Sequence, residues 1–164
     1  MLRRLLLLAS VFLVAVLSAQ AQKIEDKVEL FGGYSYMRFD SSPSTNLNGW
    51  ELSGQYKVAN WLGGVADFGG TYGSGASVHT FLFGPQVSWP RRISPFAHVL
   101  LGGAHFSSSG LADTSFSATV GAGIDSKLTH GISWRVIQGD YLTTRFFGST
   151  QNNVRVSTGI VIRF

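Results

Sequence analysis

The stretch HFSSSGL, residues 105–111, combines residue types that could perform nucleophilic chemistry. A serine hydroxyl becomes an effective nucleophile when a nearby histidine can accept its proton. His105 and Ser107 are two positions apart, so in an extended strand they lie on the same face. Asp113, the nearest acidic residue, falls in a loop-like stretch. The pattern keeps a hydrolase as one hypothesis, with His105 as the base and Ser107 as the nucleophile.

Metal and cofactor chemistry has no comparable pattern in the sequence. The spacing of the four histidines, His79, His98, His105 and His130, does not fit a metal site, and we interpret them as polar residues of a rim or an interior. The chain has no cysteine, so neither a thiolate ligand nor a disulfide is available. The sequence therefore predicts no cofactor and no metal.

The N-terminus has the layout of a secretory signal peptide. The positive start MLRR is followed by the apolar run LLLLASVFLVAVL, and Ala19-Gln20-Ala21 matches a small-residue cleavage site. We predict a signal peptide over residues 1–21 and one domain over residues 22–164, with a retained membrane anchor as the alternative. Loss of Arg3 and Arg4 would lower the net charge of +4 by two. Such a small excess gives no support for nucleic-acid binding.

After residue 21 the chain consists of runs of alternating polarity separated by turn-forming residues. Twenty glycines and only 13% charged residues suit many short strands rather than helices. We predict eight strands, over residues 28–39, 47–58, 61–72, 77–89, 94–106, 114–126, 131–143 and 153–164. An even number of antiparallel strands can close and leave no free edge. The predicted fold class is an all-β, eight-stranded antiparallel up-and-down barrel.

Two-residue alternation is clear in GWELSGQYKV, residues 49–58. One face carries Trp50, Leu52, Tyr56 and Val58, and the other carries Glu51, Ser53, Gln55 and Lys57. The stretch SWRVIQGDY departs from this pattern, because Arg135 falls on the opposite parity from Gln138 and Asp140. One β-bulge would return all three residues to the same face.

Three features predict that the apolar face points outward into lipid, which makes the barrel a transmembrane one. Each run is long enough for the roughly 9–11 residues that a tilted strand needs to cross a bilayer. The polar parity is rich in small residues, as the narrow interior of an eight-stranded barrel requires. Aromatic residues gather near the strand ends, where interfacial girdles are expected: Tyr36, Phe39, Trp50, Tyr56, Trp61, Tyr72, Trp89, Phe106, Trp134 and Phe164. A soluble lipocalin-like ligand-binding barrel is the alternative.

The last strand carries the most specific motif in the chain. In VRVSTGIVIRF a polar residue, a glycine, an apolar residue and a final aromatic follow a fixed spacing, at Ser157, Gly159, Ile162 and Phe164. With VELFGGYSYMRF as its first strand, the chain resembles the small eight-stranded outer-membrane barrels, the OmpA- and OmpX-like transmembrane domains of the porin family. The resemblance covers essentially all of residues 22–164. It implies that Ser157, Gly159, Ile162 and Phe164 form the signal read by the barrel-assembly machinery.

The resemblance also implies a location and a set of partners. A member of this class lies in the bacterial outer membrane, surrounded by lipid and lipopolysaccharide, after delivery to the assembly machinery by periplasmic chaperones. We expect a monomer. Because the sequence stops at the last predicted strand, we expect no periplasmic peptidoglycan-binding domain.

Charged residues on the inner parity should neutralise one another, since a lone buried charge is very costly. The direction of each strand places five of them near the periplasmic end. We predict a lumenal polar cluster of mixed sign formed by Glu29, Lys57, Asp125, Arg135 and Arg163, with Lys57 equally compatible with a solvated rim. Closer to the outer end, Arg155 is predicted to pair with Glu51 or Asp67.

The expected function is that of a non-enzymatic membrane barrel with a structural or loop-mediated interaction role. The predicted outer loops are 40–47, 73–76, 107–113 and 144–152, and Phe146 and Phe147 fall in the last of these. Wide channels need about 16–18 strands, so we expect a narrow channel at most. The hydrolase hypothesis remains the alternative, since HFSSSGL resembles the His-x-Ser of the outer-membrane lipid A deacylases, which are also eight-stranded barrels.

Overall fold

The computed structural model describes residues 26–39, 44–145 and 148–164. The predicted signal peptide and the two loop phenylalanines, Phe146 and Phe147, lie outside these residues. Within the described parts of the chain, no helix is both long and apolar enough to span a membrane.

Eight antiparallel strands form one closed barrel, as predicted. The strands are β1 (Val28–Phe39), β2 (Thr45–Ala59), β3 (Leu62–Gly73), β4 (Ala76–Ser88), β5 (Ile93–Ser108), β6 (Leu111–Thr129), β7 (Ile132–Thr144) and β8 (Gln151–Arg163). Each strand pairs with its neighbours in sequence, and β1 pairs with β8 to close the barrel. All eight predicted strands are present, with ends within three residues of the prediction.

The predicted loop 107–113 is wrong, because most of it belongs to strands. β5 continues to Ser108 and β6 begins at Leu111, so only Ser109 and Gly110 lie between them. Both of these residues have positive φ, 46° and 83°. A two-residue turn of this kind matches the twist of the flanking strands and reverses the chain without a longer loop. The predicted loop 73–76 likewise shortens to Ser74 and Gly75.

The β5–β6 hairpin projects beyond its neighbour at the outer end of the barrel. β6 pairs with β5 up to the turn, where Ser108 lies opposite Leu111. Its pairing with β7 ends where Ser117 lies opposite Thr144. Residues 111–116 of β6 therefore extend past the end of β7.

Most large apolar side chains are exposed on the outer face, and most charged side chains of the strands are buried in the lumen. Trp50 and Val120 are 45% and 55% exposed, whereas Glu51 and Arg155 are each 1% exposed. A soluble barrel requires the opposite arrangement, because exposed apolar surface on this scale is costly in water. The lipocalin-like alternative is therefore excluded, and the barrel has the lipid-facing exterior of a transmembrane protein.

The aromatic residues divide into two groups. Most of the predicted girdle lies exposed on the outer face: Trp50, Tyr56, Trp61, Tyr72, Trp89, Trp134 and Phe164. The prediction is wrong for Phe39 and Phe106, which point into the lumen and stack with ring centroids 5.6 Å apart. Parity explains this, because Phe39 follows Met37 and Phe106 follows Ala104 on the buried faces of β1 and β5.

The predicted bulge in β7 is present. The pairing of β7 with β8 shifts register between Arg135 and Gln138. Val136 and Ile137 both face outward as a result, while Arg135, Gln138 and Asp140 are all buried. The bulge thereby brings three polar side chains of one strand into the lumen.

Candidate functional site in the barrel lumen

The structure brings the five predicted lumenal residues together near the end of the barrel where β1 begins and β8 ends. Glu29 Oε1 lies 2.6 Å from Lys57 Nζ and 2.5 Å from Arg163 Nε. Asp125 accepts a 2.9 Å hydrogen bond from Arg135 Nε, and its other oxygen lies 3.3 Å from Arg163 Nη2. Arg163 thus bridges the two carboxylates. Lys57 is buried in this cluster and not on a solvated rim.

Arg135 is held between two aromatic rings. Its guanidinium carbon lies 4.3 Å from the ring centroid of Phe31 and 4.2 Å from that of Phe96, within cation–π range. Two glycines make room for these rings. A Cβ atom on Gly33 would lie 2.8 Å from Phe31 Cζ, and one on Gly123 would lie 2.5 Å from Phe96 Cζ. The sandwich therefore depends on glycine at both positions.

A second cluster forms around Arg155, nearer the middle of the barrel. Its Nη1 lies 3.0 Å from Asp67 Oδ1, its Nη2 lies 2.7 Å from Asp140 Oδ2, and its Nε lies 3.4 Å from Glu51 Oε2. The sequence predicted Glu51 or Asp67 as its partner, and the structure contains both. Asp140 was not predicted as a partner, although its strand lies next to β8 and pairs it directly opposite Arg155.

Gln138 joins the two clusters. Its Oε1 accepts a 2.7 Å hydrogen bond from Arg135 Nη1, and its Nε2 donates to Glu51 Oε1 at 2.7 Å and to Asp140 Oδ2 at 2.8 Å. His98 extends the network, with Nε2 2.9 Å from Asp140 Oδ1. A continuous polar network consequently crosses the lower and middle lumen.

The outer half of the lumen contains an apolar cluster, contrary to the expectation of a polar interior throughout, although Thr71, Thr144 and Asn153 are also buried there. Apolar side chains from five strands form this cluster, and we call this set the apolar plug: Met37, Phe39, Leu47, Val78, Leu82, Leu100, Ala104 and Leu142, with Phe106 packed against them. The apolar plug could not be predicted from the sequence, because its members alternate with residues that are also apolar, such as Leu101 and Phe81 on the lipid face.

The four predicted assembly residues occupy two environments on β8. Ser157 is buried and donates a 2.5 Å hydrogen bond to Glu51 Oε2. A Cβ atom on Gly159 would lie 2.3 Å from the carbonyl oxygen of Gly32, so this position in the β1–β8 seam requires glycine. Ile162 and Phe164 are exposed on the lipid face. Recognition of these residues by the assembly machinery stays a prediction.

The residues of the hydrolase hypothesis do not form a triad. His105 lies on the outer face with Nδ1 2.7 Å from Thr114 Oγ1. Asp113 lies opposite Phe106, on the parity that continues the lumen, and so faces away from His105 and Ser107. Within the described residues, no three acidic or histidine side chains are grouped so that they could hold a metal ion.

Comparison with known proteins identifies the fold. No protein-family model and no curated protein sequence matches the chain. Solved structures do: Neisserial surface protein A matches with a TM-score of 0.69 and 12% identity over 87% of this chain and 100% of that one. Ail of Yersinia pestis matches with a TM-score of 0.55 and 17% sequence identity, over 85% of this chain and 100% of that one. The N-terminal barrel domain of Pseudomonas aeruginosa OprF matches with a TM-score of 0.57 and 10% sequence identity, over 85% of this chain and 99% of that one.

The chain therefore has the fold of the small eight-stranded outer-membrane barrels. A closed antiparallel barrel with an apolar exterior and a polar interior is the architecture of outer-membrane proteins. Outer-membrane localisation follows from that architecture.

Replacement of Arg155 by methionine tests the central cluster. The variant leaves three buried carboxylates without their cation, so we expect a loss of about 3–5 kcal/mol in the free energy of unfolding. Arg38→Met removes an exposed arginine at the outer end of β1 and should change it by at most about 0.5 kcal/mol. Urea titration of the refolded barrels, followed by heat-modifiable gel mobility, measures both. Equal stability of the two variants would contradict the assigned role of Arg155.

Proposed function

We propose that the protein is a non-enzymatic integral outer-membrane barrel that acts at its surface and carries no solute through its lumen. The observation that carries this proposal is that two groups of side chains block the lumen, one after the other, along the barrel axis. The Arg155 cluster lies in the middle of the lumen, and the apolar plug lies in its outer half. A cavity of only about 10 Å³ lies between Arg135, Gln55 and Val161, which is space for about one water molecule.

Conductance measurements test the closed lumen. Folded protein inserted in planar bilayers should give no stepwise currents, because ions would have to pass the apolar plug as well as the ion pairs. Protein whose folding is verified by gel mobility should be compared with the same preparation after heat denaturation. Discrete current steps that appear only with folded protein would overturn the proposal of a closed barrel.

The outer end of the β5–β6 hairpin is the surface that we propose for contact with partners. Leu111 and Phe116 on this hairpin are 65% and 64% exposed, and the hairpin projects past β7. The strands β1 and β2, and likewise β7 and β8, are joined at this end by longer stretches of sequence, between Phe39 and Thr45 and between Thr144 and Gln151. One Ail structure holds the heparin analogue sucrose octasulfate, which supports ligand binding by a barrel of this fold.

Cysteine labelling tests whether this hairpin faces the cell exterior. The chain has no native cysteine, so Leu111→Cys introduces a single thiol at the proposed outer end. A membrane-impermeant maleimide should label it on intact cells. His130→Cys, in the turn after β6 at the opposite end, should be labelled only after the cells are permeabilised. Labelling of His130→Cys on intact cells, with protection of Leu111→Cys, would reverse the proposed orientation.

Lipid and lipopolysaccharide are proposed as the partners of the outer face. Polar pairs lie on this face near the outer strand ends, where the headgroups would be. Tyr72 Oη lies 3.0 Å from His79 Nε2, and Tyr36 Oη donates to Asn46 Oδ1 at 2.9 Å. Closure of the ladder by β1 and β8 leaves few free edges, which supports a monomer.

We also propose that the assembly machinery and periplasmic chaperones recognise β8, as the motif implies. Exposure of Ile162 and Phe164 on the lipid face supports this, because a partner could contact them without disturbing the lumen.

Phe164→Ala separates recognition from stability. In cells, this variant should reduce the amount of folded barrel in the outer membrane, since a recognition group is lost. In vitro, its refolding into detergent should match that of Ile160→Ala, which removes an exposed apolar side chain from the same face of β8. If both variants assemble equally well in cells, Phe164 is not part of the signal.

A further inference from the structure

A polar cavity opens at the end of the barrel where β1 begins and β8 ends, next to the Glu29–Arg163 ion pair. Its volume is about 530 Å³, within the range of small-molecule sites. We call it the periplasmic vestibule. Its charged lining consists of Asp26, Glu29, Lys57, Arg91, Arg92, Asp125, Lys127 and Arg163.

The lining of the vestibule has an excess of positive charge, with five cationic and three acidic side chains. Two of the acidic residues, Glu29 and Asp125, are already bound to cations of the lumenal cluster. Arg91, Arg92 and Lys127 are exposed, and across residues 26–39, 44–145 and 148–164 none of the three forms an ion pair. Like charges brought together in this way repel unless an anion lies between them.

The turn between β4 and β5 is fixed in a way that presents these cations. Arg91 N donates a 3.0 Å hydrogen bond to Ser94 Oγ, which donates in turn to Arg91 O at 2.7 Å. Lys127 N donates to Arg92 O at 2.9 Å, so the end of the turn is tied to the last part of β6. A site that is already ordered loses little entropy when a ligand binds.

We propose that the periplasmic vestibule is a binding site for a phosphate group. Guanidinium groups bind phosphate oxygens through paired N–H donors, and a lysine ammonium adds a compact charge. Arg91, Arg92 and Lys127 supply both kinds of group at one side of the cavity, with Asp26 as the acidic lining residue outside the lumenal ion pairs. The phosphate comes either from the headgroup of a lipid in the adjacent leaflet or from a soluble phosphate compound of the periplasm.

Titration with inorganic phosphate tests the soluble source. Folded protein in non-ionic detergent should show saturable shifts of the backbone amide signals of residues 91–94 and 127. In Arg91→Gln/Arg92→Gln, the affinity should fall at least about tenfold, because two charge-assisted contacts are lost. The matched control is Arg38→Gln/Arg145→Gln, which removes two exposed arginines at the opposite end and should bind like the unmodified protein.

Native mass spectrometry tests the lipid source. Phosphatidylglycerol should remain bound to the unmodified barrel and to the Arg38→Gln/Arg145→Gln control, and be lost from Arg91→Gln/Arg92→Gln. Diacylglycerol, which lacks the phosphate, should be retained by none of them. If the double variant does not fold, Lys127→Gln replaces it, since the contact of Lys127 with the turn is made by its backbone.

The two arms assign the source. Retention of phosphatidylglycerol identifies a lipid headgroup as the ligand, and binding of inorganic phosphate without retention of phosphatidylglycerol identifies a soluble compound. The proposal is overturned if the unmodified protein binds neither, or if the two double variants lose binding equally. None of these outcomes depends on whether the barrel conducts ions.

Discussion

The burial of Arg155 among three carboxylates is the constraint on which the rest of the barrel depends. A guanidinium that is 1% exposed must be neutralised and hydrogen-bonded, because desolvation of an isolated charge costs several kcal/mol. Asp67, Glu51 and Asp140 come from three strands, so their convergence on one side chain fixes the relative positions of β2, β3, β7 and β8. Because these charges are neutralised inside the barrel, the outer face can consist of apolar side chains in contact with lipid.

The lumen has a gradient of polarity that links structure to function. At the end where β1 begins and β8 ends, the ion pairs of Glu29 and Asp125 lie next to the periplasmic vestibule. Toward the outer end, the same lumen contains the apolar plug. Because side chains fill the lumen, the surfaces that we propose for function lie at the two ends of the barrel and not along its axis.

Much of this architecture could be predicted from the sequence. Alternation of polarity separated the two faces of each strand, and the mismatch of Arg135 with Gln138 indicated a bulge. Strand length, the placement of the aromatic residues and the small residues on the polar face indicated that the apolar face points into lipid. The apolar plug could not be predicted, because Leu100 and Leu101 look alike in sequence and only the closed barrel distinguishes the face that each occupies. The length of the β5–β6 hairpin could not be predicted for a different reason. Ser109 and Gly110 adopt positive φ, so these two residues reverse the chain without a longer loop. The vestibule could not be predicted, because its exposed cations come from the β4–β5 turn and from β6, which are far apart in the sequence.

The β7 bulge sets the reading frame of everything that follows it in that strand. Val136 and Ile137 point the same way, so the residues before the bulge face the lumen on odd positions and those after it on even positions. Asp140 can meet Arg155 only in the second frame. A single-residue insertion or deletion in this strand would therefore turn a carboxylate into the bilayer, whereas a change of length in an outer connection would leave the frame intact. Evolutionary insertions and deletions should therefore be tolerated at the ends of β7 but not within the strand.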